Sequence, residues 1–305
     1  MTLGSQNGLG GVGVALVTPF GADGSIDFEA YRRHVKTMMD GGVNYLVPCG
    51  TTGEAATMTA DEQARVITAA VEVAGGSIPV AAGASSNSTA AAVEMTKAAA
   101  MAGADAILSV APYYNKPPQE GLFQHFRAVA EASDLPVILY NVPGRTSSNM
   151  LPETVLRLAE LANVVAVKEA SGDLDQIGTI LAHRPEGFLV LSGDDELTLP
   201  MISLGADGLI SVAANEAPAE ITAMVSAALE GDTETAQQLH YRLLSLMRCN
   251  FVETNPIPVK TGVEMLGGAT ARFRLPLVPM SPTNRRKLSE ALVGAGLLTS
   301  PAEVA

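Results

Sequence analysis

Eight short apolar runs recur along the chain at intervals of roughly 25–35 residues, and this rhythm constrains the fold more than any other feature. They cover residues 13–18, 45–49, 80–83, 106–110, 137–141, 164–168, 188–192 and 208–212. Each is too short for a helix and rich in Val, Ile, Leu or Ala, as expected of strands buried on both faces. Between them lie amphipathic stretches at 27–40, 59–74, 88–102, 119–132, 152–161 and 195–204. Ser88, Thr89 and Asp61 suit helix caps or first turns, and Pro152 suits a first helical position. Eight strands alternating with helices predict an α/β fold, a (β/α)8 TIM barrel.

A doubly wound sheet is the competing arrangement. It calls for a Gly-x-Gly-x-x-Gly turn after the first strand. The N-terminal glycines Gly8, Gly10, Gly11 and Gly13 instead precede or open that strand, so they make a poor phosphate loop. Barrel units account for residues 1–228. The remainder, 229–305, carries helix candidates at 233–251, 256–266 and 283–295, expected to pack on the barrel and to support subunit contacts.

A hydrophobic fraction of 47% supports a large core, and aromatics of only 4% make that core mainly aliphatic. The net charge of −13 argues against nucleic acid or an anionic membrane as partner. No apolar run approaches a membrane span, and the N-terminus lacks the basic and apolar regions of a signal peptide. Cys49 and Cys249 fit no metal spacing, and the histidines are scattered. A reduced cytoplasmic setting is the simplest expectation, although one disulfide would fit the same count.

Lys168 ends one of the apolar runs. A lysine there loses hydration, its pKa falls, and the free amine becomes a nucleophile toward ketones. Strand context alone leaves a second reading open, a lysine paired with a carboxylate or reaching out to solvent. Other segments fall at strand ends, where barrels place their chemistry. Tyr140 lies 28 residues before Lys168, one strand–helix unit, so the two belong on adjacent strands at one level. Thr51 and Thr52 offer hydroxyls in a glycine-bounded turn, Tyr113 and Tyr114 follow the fourth strand, and Arg145 could grip a carboxylate. Each has an ordinary structural explanation when taken singly; their convergence on one rim is the signal.

The segments GTTGE, PYYNKP, YNVPGRT, VVAVKEASGD, SGDD and NPIPVK, in this order, resemble the dihydrodipicolinate synthase branch of the pyruvate-dependent class I aldolases. The resemblance runs from about Gly11 to Leu298. It implies a lyase that condenses pyruvate with L-aspartate 4-semialdehyde, giving 4-hydroxy-tetrahydrodipicolinate for lysine and diaminopimelate synthesis. It implies Lys168 as the Schiff-base residue and Tyr140, Thr51 and Tyr114 as a proton relay, with Tyr114 supplied by a neighbouring subunit. Thr52 matches the residue holding the pyruvate carboxylate, Arg145 the one receiving the semialdehyde carboxylate, and Gly193 and Ile210 match pocket positions acting through backbone groups. It further implies no metal or organic cofactor, and a homotetramer built from two dimers.

Arg145 favours this branch over sugar-acid lyases such as N-acetylneuraminate lyase, which must bind polyhydroxyl chains. A non-catalytic barrel binding a 2-oxo acid is a third reading, against which the intact set of Lys168, Tyr140, Thr51 and Tyr114 argues. Two departures from the pattern stand out. Ala60, Gln63 and Ala91 replace the acidic and histidine side chains of lysine-inhibited members, while Asn87 and Tyr113 match, so weak or absent inhibition by lysine is expected. Ser147 stands where many synthases have glycine.

Overall fold

The computed structural model describes residues 8–301. Eight parallel strands form one sheet: β1 (Gly11–Ala15), β2 (Tyr45–Val47), β3 (Ala81–Gly83), β4 (Ala106–Val110), β5 (Val137–Asn141), β6 (Val164–Glu169), β7 (Leu189–Ser192) and β8 (Gly208–Ser211). Their order is β2-β1-β8-β7-β6-β5-β4-β3, and a parallel bridge between Leu46 and Val80 brings the two ends together. The barrel expected from the alternation is therefore present. β1 begins two residues earlier than its apolar pattern suggests, because Gly11 already pairs with Gly208 on β8.

Strand side chains alternate between two faces, and the core divides accordingly. Val12, Val14, Leu46, Ile107, Leu139, Val167, Val190 and Leu209 face the helices. Ala15, Tyr45, Val47, Leu108, Ile138, Ala166, Leu191 and Ile210 fill the barrel interior. Gly13 permits this filling: a Cβ there would lie 2.2 Å from the Tyr45 ring.

Several helices start where a side chain satisfies a free N–H group. Thr59 and Glu62 form a reciprocal capping box ahead of Ala60–Ala74, and Asp27, Asp173 and Asp232 cap three further helices. The stretch 195–204 is helical only over Thr198–Ser203. Asp195 lies outside that helix because its buried carboxylate accepts hydrogen bonds from Val212 N (3.0 Å), Ala213 N (3.2 Å) and Ser211 Oγ, tying β7 to β8.

The last barrel helix is Pro218–Glu230. Beyond it come Thr233–Cys249, Ile257–Met265 and Pro282–Gly294, close to the segments read from periodicity. Both cysteines are buried and free. Among the described residues, no helix is long and apolar enough to cross a membrane.

Candidate active site

Six of the eight site residues named from sequence, Thr51, Thr52, Tyr140, Arg145, Lys168 and Gly193, converge on a cavity of about 450 Å³ at the C-terminal ends of the strands. Strand parity places the central pair. Lys168 follows Ala166 by two residues and Tyr140 follows Ile138 by two, so both project into the barrel. They are register partners across β5 and β6, and the Lys168 Nζ stands over the Tyr140 ring, 4.3 Å from its centroid. Gly193 on the next loop gives the lysine its room: a Cβ there would lie 3.0 Å from Lys168 Cε and 2.7 Å from Ala170 Cβ.

Lys168 is 5% exposed, and no carboxylate among the described residues ion-pairs with it. The adjacent Glu169 points to the opposite face. There it accepts hydrogen bonds from Asn141 Nδ2 (3.1 Å), Gln176 Nε2 (3.1 Å) and Ser171 N (2.8 Å). That removes the neighbouring carboxylate as the lysine's partner. Burial pushes the Lys168 ammonium down to about 8, with Arg145 adding to the shift and Asp195 opposing it. Burial pushes the Tyr140 phenol up to about 12, so it is protonated near neutrality. The pair thus joins a nucleophilic amine to a proton donor.

The turn after β2 supplies hydroxyls at two depths. Thr51 is exposed on the cavity wall. Thr52 is buried, and its Oγ1 accepts a hydrogen bond of 3.0 Å from Asn255 Nδ2. Both threonines line the cavity, Thr51 at its exposed wall and Thr52 buried beneath it. Across the cavity, Arg145 lies in a short helix, Pro143–Thr146. It is exposed and lines the cavity mouth. Ser147 caps that helix with φ 57°, a left-handed conformation that glycine adopts without strain. The same segment is anchored to the Lys168 strand through the hydrogen bonds of Asn141 with Glu169 and with Met150 N.

Two residues lie apart. Tyr114 is 87% exposed with φ 72°, outside the cavity of its own chain, whereas Tyr113 lines that cavity. Ile210 is fully buried in the barrel interior, and Val212, two residues on, reaches the cavity. Asn255, Phe251 and Asp194 also line the cavity, and none was singled out from sequence. Asp194 belongs to the SGDD segment and Asn255 opens NPIPVK, so the resemblance marked their neighbourhoods without assigning roles. Among the described residues, no group of three or more His, Cys, Asp or Glu side chains could hold a metal ion.

The model of the dihydrodipicolinate synthetase family matches residues 8–295. The chain belongs to that family. It is 54% identical over 291 residues to the 4-hydroxy-tetrahydrodipicolinate synthase of Koribacter versatilis, covering 95% of this chain and 97% of that one. Among solved structures, the dihydrodipicolinate synthase of Aquifex aeolicus is similar with a TM-score of 0.92 at 47% identity, covering 96% of this chain and 99% of the other. A monomeric dihydrodipicolinate synthase variant is similar with a TM-score of 0.93 at 43% identity, covering 95% and 98%. The family match and the barrel thus agree along nearly the whole chain.

Proposed function

We propose that this protein is a 4-hydroxy-tetrahydrodipicolinate synthase, condensing pyruvate with L-aspartate 4-semialdehyde through a Schiff base on Lys168. The observation that carries the reading is a buried amine with no carboxylate partner among the described residues, set against the Tyr140 ring in a cavity that also holds Arg145.

The Lys168 amine adds to the ketone carbon of pyruvate, and water leaves as the imine forms. The protonated imine nitrogen draws electrons, so a methyl proton is lost and an enamine results. Its terminal carbon attacks the aldehyde carbon of the semialdehyde, and the aldehyde oxygen takes a proton. The substrate's own amine then displaces Lys168 by transimination as the ring closes, regenerating the free lysine. Lys168 supplies the electron sink in this scheme, which calls for no metal or organic cofactor.

Tyr140 supplies and recovers protons at these steps. Thr51 passes them outward, and Tyr114 completes the relay from a neighbouring subunit. The exposure and left-handed backbone of Tyr114 suit a side chain presented to another copy. Thr52 holds the pyruvate carboxylate, with Gly193 and Ile210 contributing backbone groups. Arg145 at the mouth receives the semialdehyde carboxylate through a bidentate pair. The accompanying assembly is a cytoplasmic homotetramer of two dimers, each chain a barrel ending with the helix Pro218–Glu230 and followed by a helical extension.

Borohydride reduction in the presence of pyruvate, followed by peptide mass mapping, tests the chemistry. A reduced pyruvyl adduct on Lys168 is expected; folded protein that acquires none would refute the mechanism. Sedimentation of the intact protein tests the assembly, and a monomer with full activity would remove Tyr114 from the relay.

A further inference from the structure

Resting on the roles of Thr51 and Thr52 given above, we propose that Lys260 is a positioning residue for the hydroxyl turn. It holds Glu54, and through Glu54 the turn of residues 50–53, in the conformation that presents the threonines to the cavity. Lys260 does not line the cavity, so any effect on the reaction must pass through its neighbours.

Glu54 directly follows the turn and has φ 56°, a left-handed conformation unfavourable for a residue with a side chain. Its N–H donates to the Thr51 carbonyl at 3.1 Å, so its backbone geometry and that of the turn are joined. A strained residue persists only when its surroundings over-determine it. Here they do. The Glu54 carboxylate accepts hydrogen bonds from Lys260 Nζ at 2.6 Å and from Arg274 N at 3.3 Å. Glu54 and Lys260 are each 3% exposed. Lys260 is itself held by the Arg272 carbonyl and lies over the rings of Phe20 and Phe273, 4.4 and 4.9 Å from their centroids.

The segment bearing Lys260 grips the turn a second time. Asn255, five residues earlier, donates to Thr52 Oγ1. Arg274 adds a third tie, donating from its guanidinium to the Thr57 carbonyl at 3.0 Å and to Glu62 at 2.6 Å. The residues after the barrel therefore fasten the stretch 51–62 at several points. A buried ion pair is a poor source of stability, because desolvating both charges offsets their attraction. It does select one geometry, and the geometry selected here is that of the turn.

The test is steady-state kinetics of Lys260→Met on the full chain with pyruvate and aspartate semialdehyde. The KM for pyruvate is expected to rise about tenfold or more, as a small misplacement of an orienting group would give. The KM for the semialdehyde should stay unchanged, because Arg145 lies on the separate helix Pro143–Thr146. Loss of folded fraction alone would lower kcat and leave both KM values where they were. An unchanged pyruvate KM, or a parallel rise in both, would overturn the proposal.

Should Lys260→Met not fold, the neutral pair Glu54→Gln/Lys260→Met avoids a lone buried charge. The same split is expected from it and the same results would overturn the proposal. Borohydride trapping on the unaltered protein separates the two levels. No adduct on Lys168 would overturn both readings, whereas normal trapping with an unchanged pyruvate KM in the variants would overturn the role of Lys260 alone.

Discussion

Tyr140 and Lys168 face each other across adjacent strands as register partners, with the lysine nitrogen over the phenol ring. The sheet fixes both backbones, so proton donor and amine are aligned before any substrate arrives. A flexible loop could not hold them this way, since each would then have to be ordered at the moment of reaction.

The amine should report its own titration. With a pKa of about 8, roughly a tenth of Lys168 is free amine at pH 7, against about one part in 3,000 for a solvated lysine at 10.5. The free amine is the deprotonated form, so the trapping rate is expected to fall about tenfold per pH unit below 8 and to level off above it. Initial rates of borohydride trapping between pH 6 and 9 measure this. A flat profile would contradict the lowered pKa.

Burying this ammonium costs stability. Lys168 has a lower pKa folded than unfolded, so the folded state binds fewer protons between about pH 8 and 10.5. The penalty is fully present below pH 8 and fades as pH rises toward 10.5. Lys168→Met removes it and is expected to stabilise the protein at pH 7 by about 1–3 kcal/mol while abolishing the adduct. Chemical denaturation at pH 7 and pH 10 should show the gain shrinking at the higher pH.

Tyr140→Phe keeps the ring against Lys168 and removes only the hydroxyl. Loss of a general acid–base group should lower kcat about 10²- to 10⁴-fold. The adduct should still form, more slowly, because the amine is unaltered. Rapid kinetics with adduct mapping distinguishes this from a collapse of the pocket, which would eliminate both.

Gly193→Ala tests the close approach of the loop to the lysine. The new Cβ would meet Lys168 Cε at 3.0 Å and Ala170 Cβ at 2.7 Å, so the lysine must move. Overpacking of this kind typically costs about 1–3 kcal/mol, and adduct formation should slow with it. Thermal melting and trapping rates measured together check both effects.

Free lysine should inhibit weakly or not at all. Ala60 and Ala91 are exposed and carry no charge to meet an ammonium group. The Gln63 amide is already engaged, donating to the Ala55 carbonyl at 3.0 Å. Activity titrated with lysine at fixed substrate checks the expectation, and inhibition at micromolar lysine would refute it.

What could be read from the sequence alone follows from short-range geometry. Side chains alternate every two residues along a strand, and one strand–helix unit returns the chain to the same level of the barrel. These regularities sufficed to expect the barrel and the adjacency of Tyr140 and Lys168. They also marked the segments at the rim, although the helix around Arg145 went unread because it is only four residues long. Tertiary structure alone decided which groups are paired and which are left free. Asn255 meets Thr52 across 203 residues and Lys260 meets Glu54 across 206. No local period encodes such contacts; they exist because packing carries the C-terminal helices over one side of the barrel mouth. The same holds for the amine. Sequence could not say whether a carboxylate neutralises Lys168, because that depends on which way Glu169, Asp194 and Asp195 turn once the chain has closed around them.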